Sequence, residues 1–168
     1  MRLFLDTEFT DENLMRAELV SLALVSEDGG AELYLERDPL PEQCSSFVRH
    51  HIIPLLDRGE TAMTDVEFTC RLRAFLREIP EPLIIADFPG DKFFCEVALT
   101  GFTLPRSALT DSGPIPAVRW QVEDDAELAA QIERWFAAHP EARRHHALID
   151  ARALRDCWMV HRWRSPCW

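Results

Sequence analysis

Two carboxylates, Asp6 and Glu8, stand two positions apart inside an apolar run near the start of the chain. Alternate residues of a β-strand point to the same face, so a strand here places both carboxylates side by side. Leu5 and Phe9 then turn to the opposite face and pack against apolar side chains. Two adjacent negative charges at a strand end are costly unless a cation neutralises them. Oxygen ligands favour hard cations, so the pair predicts a Mg²⁺ or Mn²⁺ site rather than a zinc site.

Two later segments add acidic residues and a pair of histidines. Asp91 ends the segment 86–91, and Asp150 ends the segment 145–150, which begins with the histidines. Each aspartate alone has an ordinary explanation, because Asp91 could cap a helix and Asp150 could be a solvated helix residue. Together with the first pair, they favour a centre in which two cations hold a phosphodiester.

In this order, Asp6-x-Glu8, Asp91 and His145-x4-Asp150 resemble the three motifs of the DEDDh 3′–5′ exonucleases. That family includes ribonuclease T, oligoribonuclease and proofreading exonuclease subunits. The resemblance covers nearly the whole chain, and the chain is most similar to a branch of small, single-domain bacterial exoribonucleases. It implies a metal-dependent 3′–5′ exoribonuclease that releases nucleoside 5′-monophosphates from single-stranded or 3′-overhanging RNA.

The resemblance also implies roles for the motif carboxylates. Asp6 would bridge two divalent cations, Mg²⁺ or Mn²⁺. Glu8 and Asp150 would complete the first cation site, and Asp91 would reach the second cation through water.

The resemblance selects His145 as the proton acceptor, because the family histidine lies five positions before the last aspartate. An imidazole suits this task near neutral pH. His146 lies close to one helical turn before Asp150 and remains the alternative. Asp87 stands where the family commonly has asparagine, so it could assist metal binding, contact the substrate sugar, or do neither.

Substrate contacts are expected from residues around the motifs. Leu14 and Met15 form an apolar pair in a polar loop, and they could either wedge between bases or pack the loop down. Arg144 could contact phosphate or be a solvated flanking charge. The full set of candidate substrate-binding residues is Thr7, Phe9, Thr10, Leu14, Met15, Asp87 and Arg144.

The length and composition, with 47% hydrophobic residues, fit a single domain over residues 1–168, which the resemblance implies is an exonuclease domain. A net charge of −11 argues against a processive duplex binder and favours short or single-stranded substrates. Five scattered cysteines without a C-x-x-C motif predict reduced thiols in a cytoplasmic protein. The sequence contains no apolar stretch long enough to indicate a membrane span, and neither a membrane span nor a signal peptide is expected. Family members are often homodimers, so a homodimer is expected.

Three other functions remain open at this point. A single-strand DNA exonuclease would use the same chemistry, and the residues do not distinguish the two sugars. A dinucleotide or small phosphodiester hydrolase would suit the acidic chain. A non-catalytic binding module is disfavoured, because it would not need the full acidic set. The basic, aromatic C-terminus, with Trp163 and Trp168, could bind RNA or pack against a partner.

The pattern of apolar residues predicts an α/β protein with a ribonuclease H-like fold. Its central mixed sheet has five strands, the first three antiparallel and the rest parallel, flanked by helices. Strands are expected at 2–9, 19–25, 31–36 and 83–86, with an edge strand at Ala108-Leu109. Helices are expected at 42–51, 65–78, 92–100, 124–139 and 146–162, with Asp91 opening the third of these.

Overall fold

The computed structural model describes residues 1–164, and the side chains of residues 1–162. Six strands form one mixed sheet in the order β4-β3-β2-β1-β5-β6. β1 pairs antiparallel with β2, and β2 pairs antiparallel with β3; β1 with β5 and β5 with β6 are parallel pairs. This is the mixed, ribonuclease H-like sheet that the sequence predicts, extended by the two-residue β4. The strands are β1 (Arg2–Phe9), β2 (Leu19–Ser26), β3 (Glu32–Arg37), β4 (Ala62–Met63), β5 (Leu83–Ala86) and β6 (Arg119–Val122).

Four longer helices cover the two faces of the sheet, namely α1 (Asp65–Glu78), α2 (Pro89–Thr100), α3 (Ala126–Ala138) and α4 (Ala147–Arg164). Leu3 and Leu5 of β1 pack with α1 and α2 in one buried cluster. Phe4 lies between them in sequence and packs on the other face, against α3 and α4. The alternation of β1 therefore directs Asp6 and Glu8, which follow Phe4 at even positions, to the face covered by α3 and α4.

Local signals in the sequence fix the ends of α1 and α2. Thr64 caps α1, and its hydroxyl accepts from the Glu67 backbone while the Glu67 carboxylate accepts from the Thr64 backbone. Gly101 ends α2 in the left-handed region with φ 99°. The left-handed backbone favours glycine at this position, and a side chain there would also displace the terminal methyl groups of Leu109.

Four predicted elements are wrong or shifted. The helix expected at 42–51 is reduced to a short helical turn at Val48–Ile52. The edge strand is β6 rather than Ala108-Leu109. The latter two residues lie in a helical turn at Arg106–Ser112. Prolines flank both regions, and the periodicity within these short segments does not define their conformation. Helix α2 begins at Pro89, so Asp91 lies in its first turn and does not open it. α3 is shorter at both ends than predicted and is capped by Asp125.

The predictions for Cys167 and Trp168 lie outside the described residues, and the side chain of Trp163 does as well. No helix in the described part of the chain is both long and apolar enough to cross a membrane.

Candidate metal centre and active site

Acidic side chains from four segments meet at the carboxyl end of β1. Asp6 and Glu8 pair with Ala23 and Ser21 of β2 and share one face. Asp87 follows the last residue of β5, which runs parallel to β1. Asp91 belongs to the first turn of α2 and Asp150 to the first turn of α4. The fold thus brings together five carboxylates that are far apart in the sequence.

The site divides into two groups, each compact enough to hold a cation. One ligand atom from each of Glu8, His145 and Asp150 lies within 4.8 Å of the others. The same holds for the second group, Asp6, Asp87 and Asp91.

Burial and mutual repulsion make these carboxylates resist ionisation in the cation-free protein. Burial, followed by the charges of neighbouring carboxylates, raises the pKa of Asp6 and of Glu8 well above their usual values. Burial raises the pKa of Asp91 to about 8 and that of Asp150 to about 7. Such groups are stable as anions only when a positive charge lies beside them.

Two buried oxygen atoms in this site lack hydrogen-bond partners. They are Oδ2 of Asp6 and Oδ1 of Asp150, one from each of the two groups. Buried carboxylate oxygens are normally satisfied, so each needs a ligand that protein atoms do not supply. Divalent cations that prefer oxygen fit both positions.

Thr7 holds the Asp91 side chain in place. Its hydroxyl donates to Oδ1 of Asp91 at 2.7 Å, and its backbone N–H donates to the same oxygen at 3.2 Å. Both residues are buried. The predicted substrate contact of Thr7 remains untested; here its hydroxyl is directed to Asp91.

His145 contacts the first group through both its backbone and its ring. Its backbone N–H donates to Oδ2 of Asp150 at 3.0 Å, and its φ of 68° places it in the left-handed region. Burial, followed by the nearby Arg144, lowers the pKa of the His145 imidazole. A neutral, half-buried imidazole beside Glu8 and Asp150 is suited to accepting a proton.

His146 is directed away from the carboxylates and into the protein. Its ring is buried and packs on Tyr34 with 4.5 Å between centroids. Its Nε2 lies 3.4 Å from Oδ2 of Asp57, too poorly aligned for a hydrogen bond. Oδ1 of Asp57 accepts from Arg143 at 2.6 Å. Between the two histidines, this geometry favours His145 as the proton acceptor.

An open cavity of about 480 Å³ adjoins the first group and is lined by Glu8 and His145 on one side. Phe47 lines it from the segment between β3 and β4 and is 48% exposed. Its ring meets that of His145 edge-on, with centroids 5.1 Å apart. Sequence reasoning missed Phe47, because a single aromatic residue outside the motifs has no spacing that marks it.

The segment that carries Phe47 is fastened by backbone contacts to neighbouring loops. The backbone N–H of Ser45 donates to the carbonyl of Thr10 at 2.9 Å. The hydroxyl of Thr10 in turn accepts from the backbone of Glu18 at 3.0 Å. Thr10, a predicted substrate contact, is buried and serves this loop in the structure.

The other predicted substrate residues lie on two sides of the site. Phe9 stacks between Phe88 and Phe94, with centroids 6.2 and 5.0 Å away. Leu14 packs against the core cluster, whereas Met15 is 93% exposed. These positions are compatible with either alternative for the apolar pair.

Arg144 lines a smaller cavity of about 180 Å³ that also touches Asp6, Asp87 and Asp150. Its guanidinium forms an ion pair with Glu133, including an Nη1–Oε2 contact of 2.7 Å, and lies over the ring of Phe136. A phosphate contact by Arg144 would therefore compete with Glu133.

The fold and site together define a ribonuclease H-like α/β protein with an acidic, cation-binding centre. No protein-family model matches the chain. Part of the chain is similar to 3′-5′ exoribonucleases from two strains of Mycobacterium tuberculosis, each 39% identical over 56 residues. The match spans 33% of this chain and 33% of each relative.

Proposed function

We propose that this protein is a metal-dependent 3′–5′ exoribonuclease that acts on single-stranded or 3′-overhanging RNA and releases nucleoside 5′-monophosphates. The observation that carries the proposal is the pair of buried, unpartnered oxygens, Oδ2 of Asp6 and Oδ1 of Asp150, in two adjoining acidic groups. The partial similarity to curated 3′-5′ exoribonucleases supports the same activity.

The carboxylates would hold two cations, Mg²⁺ or Mn²⁺, in the two groups. Glu8 and Asp150 would hold one, Asp91 would serve the other, and Asp6 would serve both. When bound, the cations would lower the pKa of water and stabilise charge on the phosphate. His145 would take a proton from the attacking water onto its neutral imidazole.

The cavity beside Glu8 would receive the base of the 3′-terminal nucleotide. Phe47 offers an exposed aromatic face there, and base stacking on such a face tolerates every base. This placement sets the terminal phosphodiester next to His145 and the first group. An enzyme that holds only the last nucleotides of a strand also fits a net charge of −11, which would oppose a long contact with a polyanion.

The 56-residue match leaves the oligomeric state to experiment. A homodimer would supply a second surface to the substrate groove; we expect static light scattering at micromolar concentration to give twice the monomer mass. A monomer would remove this part of the proposal.

A gel assay with 5′-labelled single-stranded RNA and DNA oligomers of matched sequence tests the proposed activity. We expect a ladder that shortens from the 3′ end with Mg²⁺ or Mn²⁺, is absent with EDTA, and is absent in Asp150→Asn. A ladder on DNA alone would make the protein a deoxyribonuclease. No ladder on either polymer, with hydrolysis of dinucleotides, would assign it to small phosphodiesters.

A further inference from the structure

Asp87 adjoins Asp6 because of the register between two parallel strands. Phe4 of β1 is opposite Ile85 of β5. Asp6 lies two residues after Phe4, and Asp87 lies two residues after Ile85. Because the strands are parallel, the same register places Asp6 opposite Asp87. Their side chains reach the same group as Asp91, with ligand atoms all within 4.8 Å.

The hydrogen bonds of Asp91 limit what that residue can offer a cation. Thr7 occupies Oδ1 of Asp91 with two donors, which leaves Oδ2 as the free oxygen. Mg²⁺ requires six oxygens in near-octahedral geometry. Such sites usually have one or two carboxylates and complete the shell with water, so Asp87 is positioned to give this group one carboxylate more than usual.

No cationic side chain forms an ion pair with Asp87 among the residues whose side chains the structure describes, although Arg144 lines the same small cavity. The ion pairs between described side chains do not include any of the five site carboxylates, and Arg144 is paired with Glu133. Burial raises the pKa of Asp87, and its charge contributes to the raised pKa of Asp6. A cation between Asp6 and Asp87 would relieve the repulsion between the two carboxylates.

We propose that Asp87 is a direct ligand of the second cation, which is then held by three carboxylates, those of Asp6, Asp87 and Asp91. This inference rests on the proposed two-cation site. The third carboxylate would tighten the second site, because affinity for hard cations increases with the number of charged ligands. It would keep that cation bound when product leaves.

The test is calorimetric titration of the cation-stripped full chain with Mn²⁺. The wild-type protein should bind two ions. Asp87→Ala removes the ligand, Asp87→Asn keeps an oxygen but loses the charge, and Asp111→Asn removes one exposed charge outside both groups. Glu8→Gln and Asp91→Asn identify which of the two binding events belongs to which group.

We expect Asp87→Asn to weaken the binding event that Asp91→Asn also weakens, by about tenfold or more, and Asp87→Ala to weaken it further. Asp111→Asn should bind both ions like the wild-type protein. Equal weakening by Asp87→Asn and Asp87→Ala would mean that Asp87 acts only as a charge at a distance, which would overturn the inference.

Two other outcomes separate the inference from the proposed function. If both Asp87 variants bind two ions with wild-type affinity, Asp87 is not a ligand, while the two-cation site stands. If the wild-type protein binds no Mn²⁺, the proposed function fails first. Thermal unfolding in EDTA guards against misfolding, since relief of repulsion should make Asp87→Asn at least as stable as the wild-type protein.

Discussion

Thr7 donates two hydrogen bonds to a single oxygen of Asp91, one from its hydroxyl and one from its backbone N–H. The residue between the two carboxylates of β1 thereby sets the orientation of a third carboxylate, which comes from α2. Because Thr7 turns to the opposite face of β1 from Asp6 and Glu8, the strand serves the site from both of its faces.

Removing the Thr7 hydroxyl should loosen Asp91. We expect Thr7→Val to weaken one of two Mn²⁺-binding events by about three- to tenfold, the usual cost of a lost hydrogen bond. Thr7→Ser keeps the donor and should restore binding. The matched control is Thr69→Val, which removes a buried hydroxyl outside the site. That hydroxyl donates to the Ala98 carbonyl over a distance of 3.0 Å. Wild-type binding by Thr7→Val would show that the backbone N–H alone positions Asp91.

Neutralising Asp6 should separate activity from stability. Asp6→Asn should lower the hydrolysis rate by at least about a thousandfold, because cation stabilisation of the phosphate is worth several kcal/mol. In EDTA the same variant should unfold at a higher temperature, by about 2–4 °C for each kcal/mol of repulsion relieved. Calorimetry beside a rate assay measures both, with Asp111→Asn as the charge control. A variant that is inactive and also less stable would indicate damage to the fold.

The two neighbouring histidines should respond differently to substitution. His145→Asn tolerates the left-handed backbone at this position and should lower kcat by about 10²–10⁴-fold, the usual contribution of general base catalysis. His146→Phe should keep the packing on Tyr34 and retain most of kcat. The reverse order of the two effects would move the proton acceptor to His146.

The raised carboxyl pKa values predict how stability depends on pH without cations. The folded protein binds more protons than the unfolded chain between about pH 4 and about pH 8, since the pKa of Asp150 is about 7 and that of Asp91 about 8. The free energy of unfolding in EDTA should therefore fall as pH rises through this range. The lowered pKa values of His145 and His146 act in the opposite sense as pH falls below about 6.5.

Denaturant unfolding between pH 6.5 and 8.5 isolates the carboxyl contribution. With saturating Mn²⁺ the downward slope should disappear, because bound cations keep the carboxylates ionised. A free energy of unfolding that rises with pH in EDTA would contradict the raised pKa values.

Phe47 should affect substrate binding more than chemistry. Phe47→Ala should raise KM for a short RNA by about five- to a hundredfold, the range expected from losing one stacked base. Phe47→Trp should retain a low KM, because it keeps an aromatic face. Steady-state kinetics on a trinucleotide measures the effect. An unchanged KM in Phe47→Ala would place the terminal base elsewhere.

Periodicity and motif order predicted the parts of the site that depend on local sequence. The spacing of Asp6 and Glu8 placed both on one face of β1, and the capping residues of α1 defined its start. The role of Asp87 could not be settled, because its proximity to Asp6 depends on the parallel register of β1 and β5. The register between two strands depends on tertiary packing and cannot be predicted from a single sequence.

Phe47 was missed for a related reason. Its segment is a short helical stretch that is held by contacts distant in sequence, such as the backbone N–H of Ser45 donating to the carbonyl of Thr10 at 2.9 Å. The helical stretch begins at Ser46, so the helix predicted at 42–51 was shifted toward the N-terminus. Loops fixed by tertiary contacts often carry functional residues and are the hardest to assign from one chain.

The edge-on contact between Phe47 and His145 has a thermodynamic consequence under the proposed function. A base that lies on Phe47 displaces water from the imidazole and so changes the proton affinity of His145. Linkage is reciprocal, so protonation of His145 must change base affinity by the same factor. The proton that His145 gains during hydrolysis would then change the affinity of the enzyme for the mononucleotide product. Product release would therefore have a pH dependence separate from that of bond cleavage.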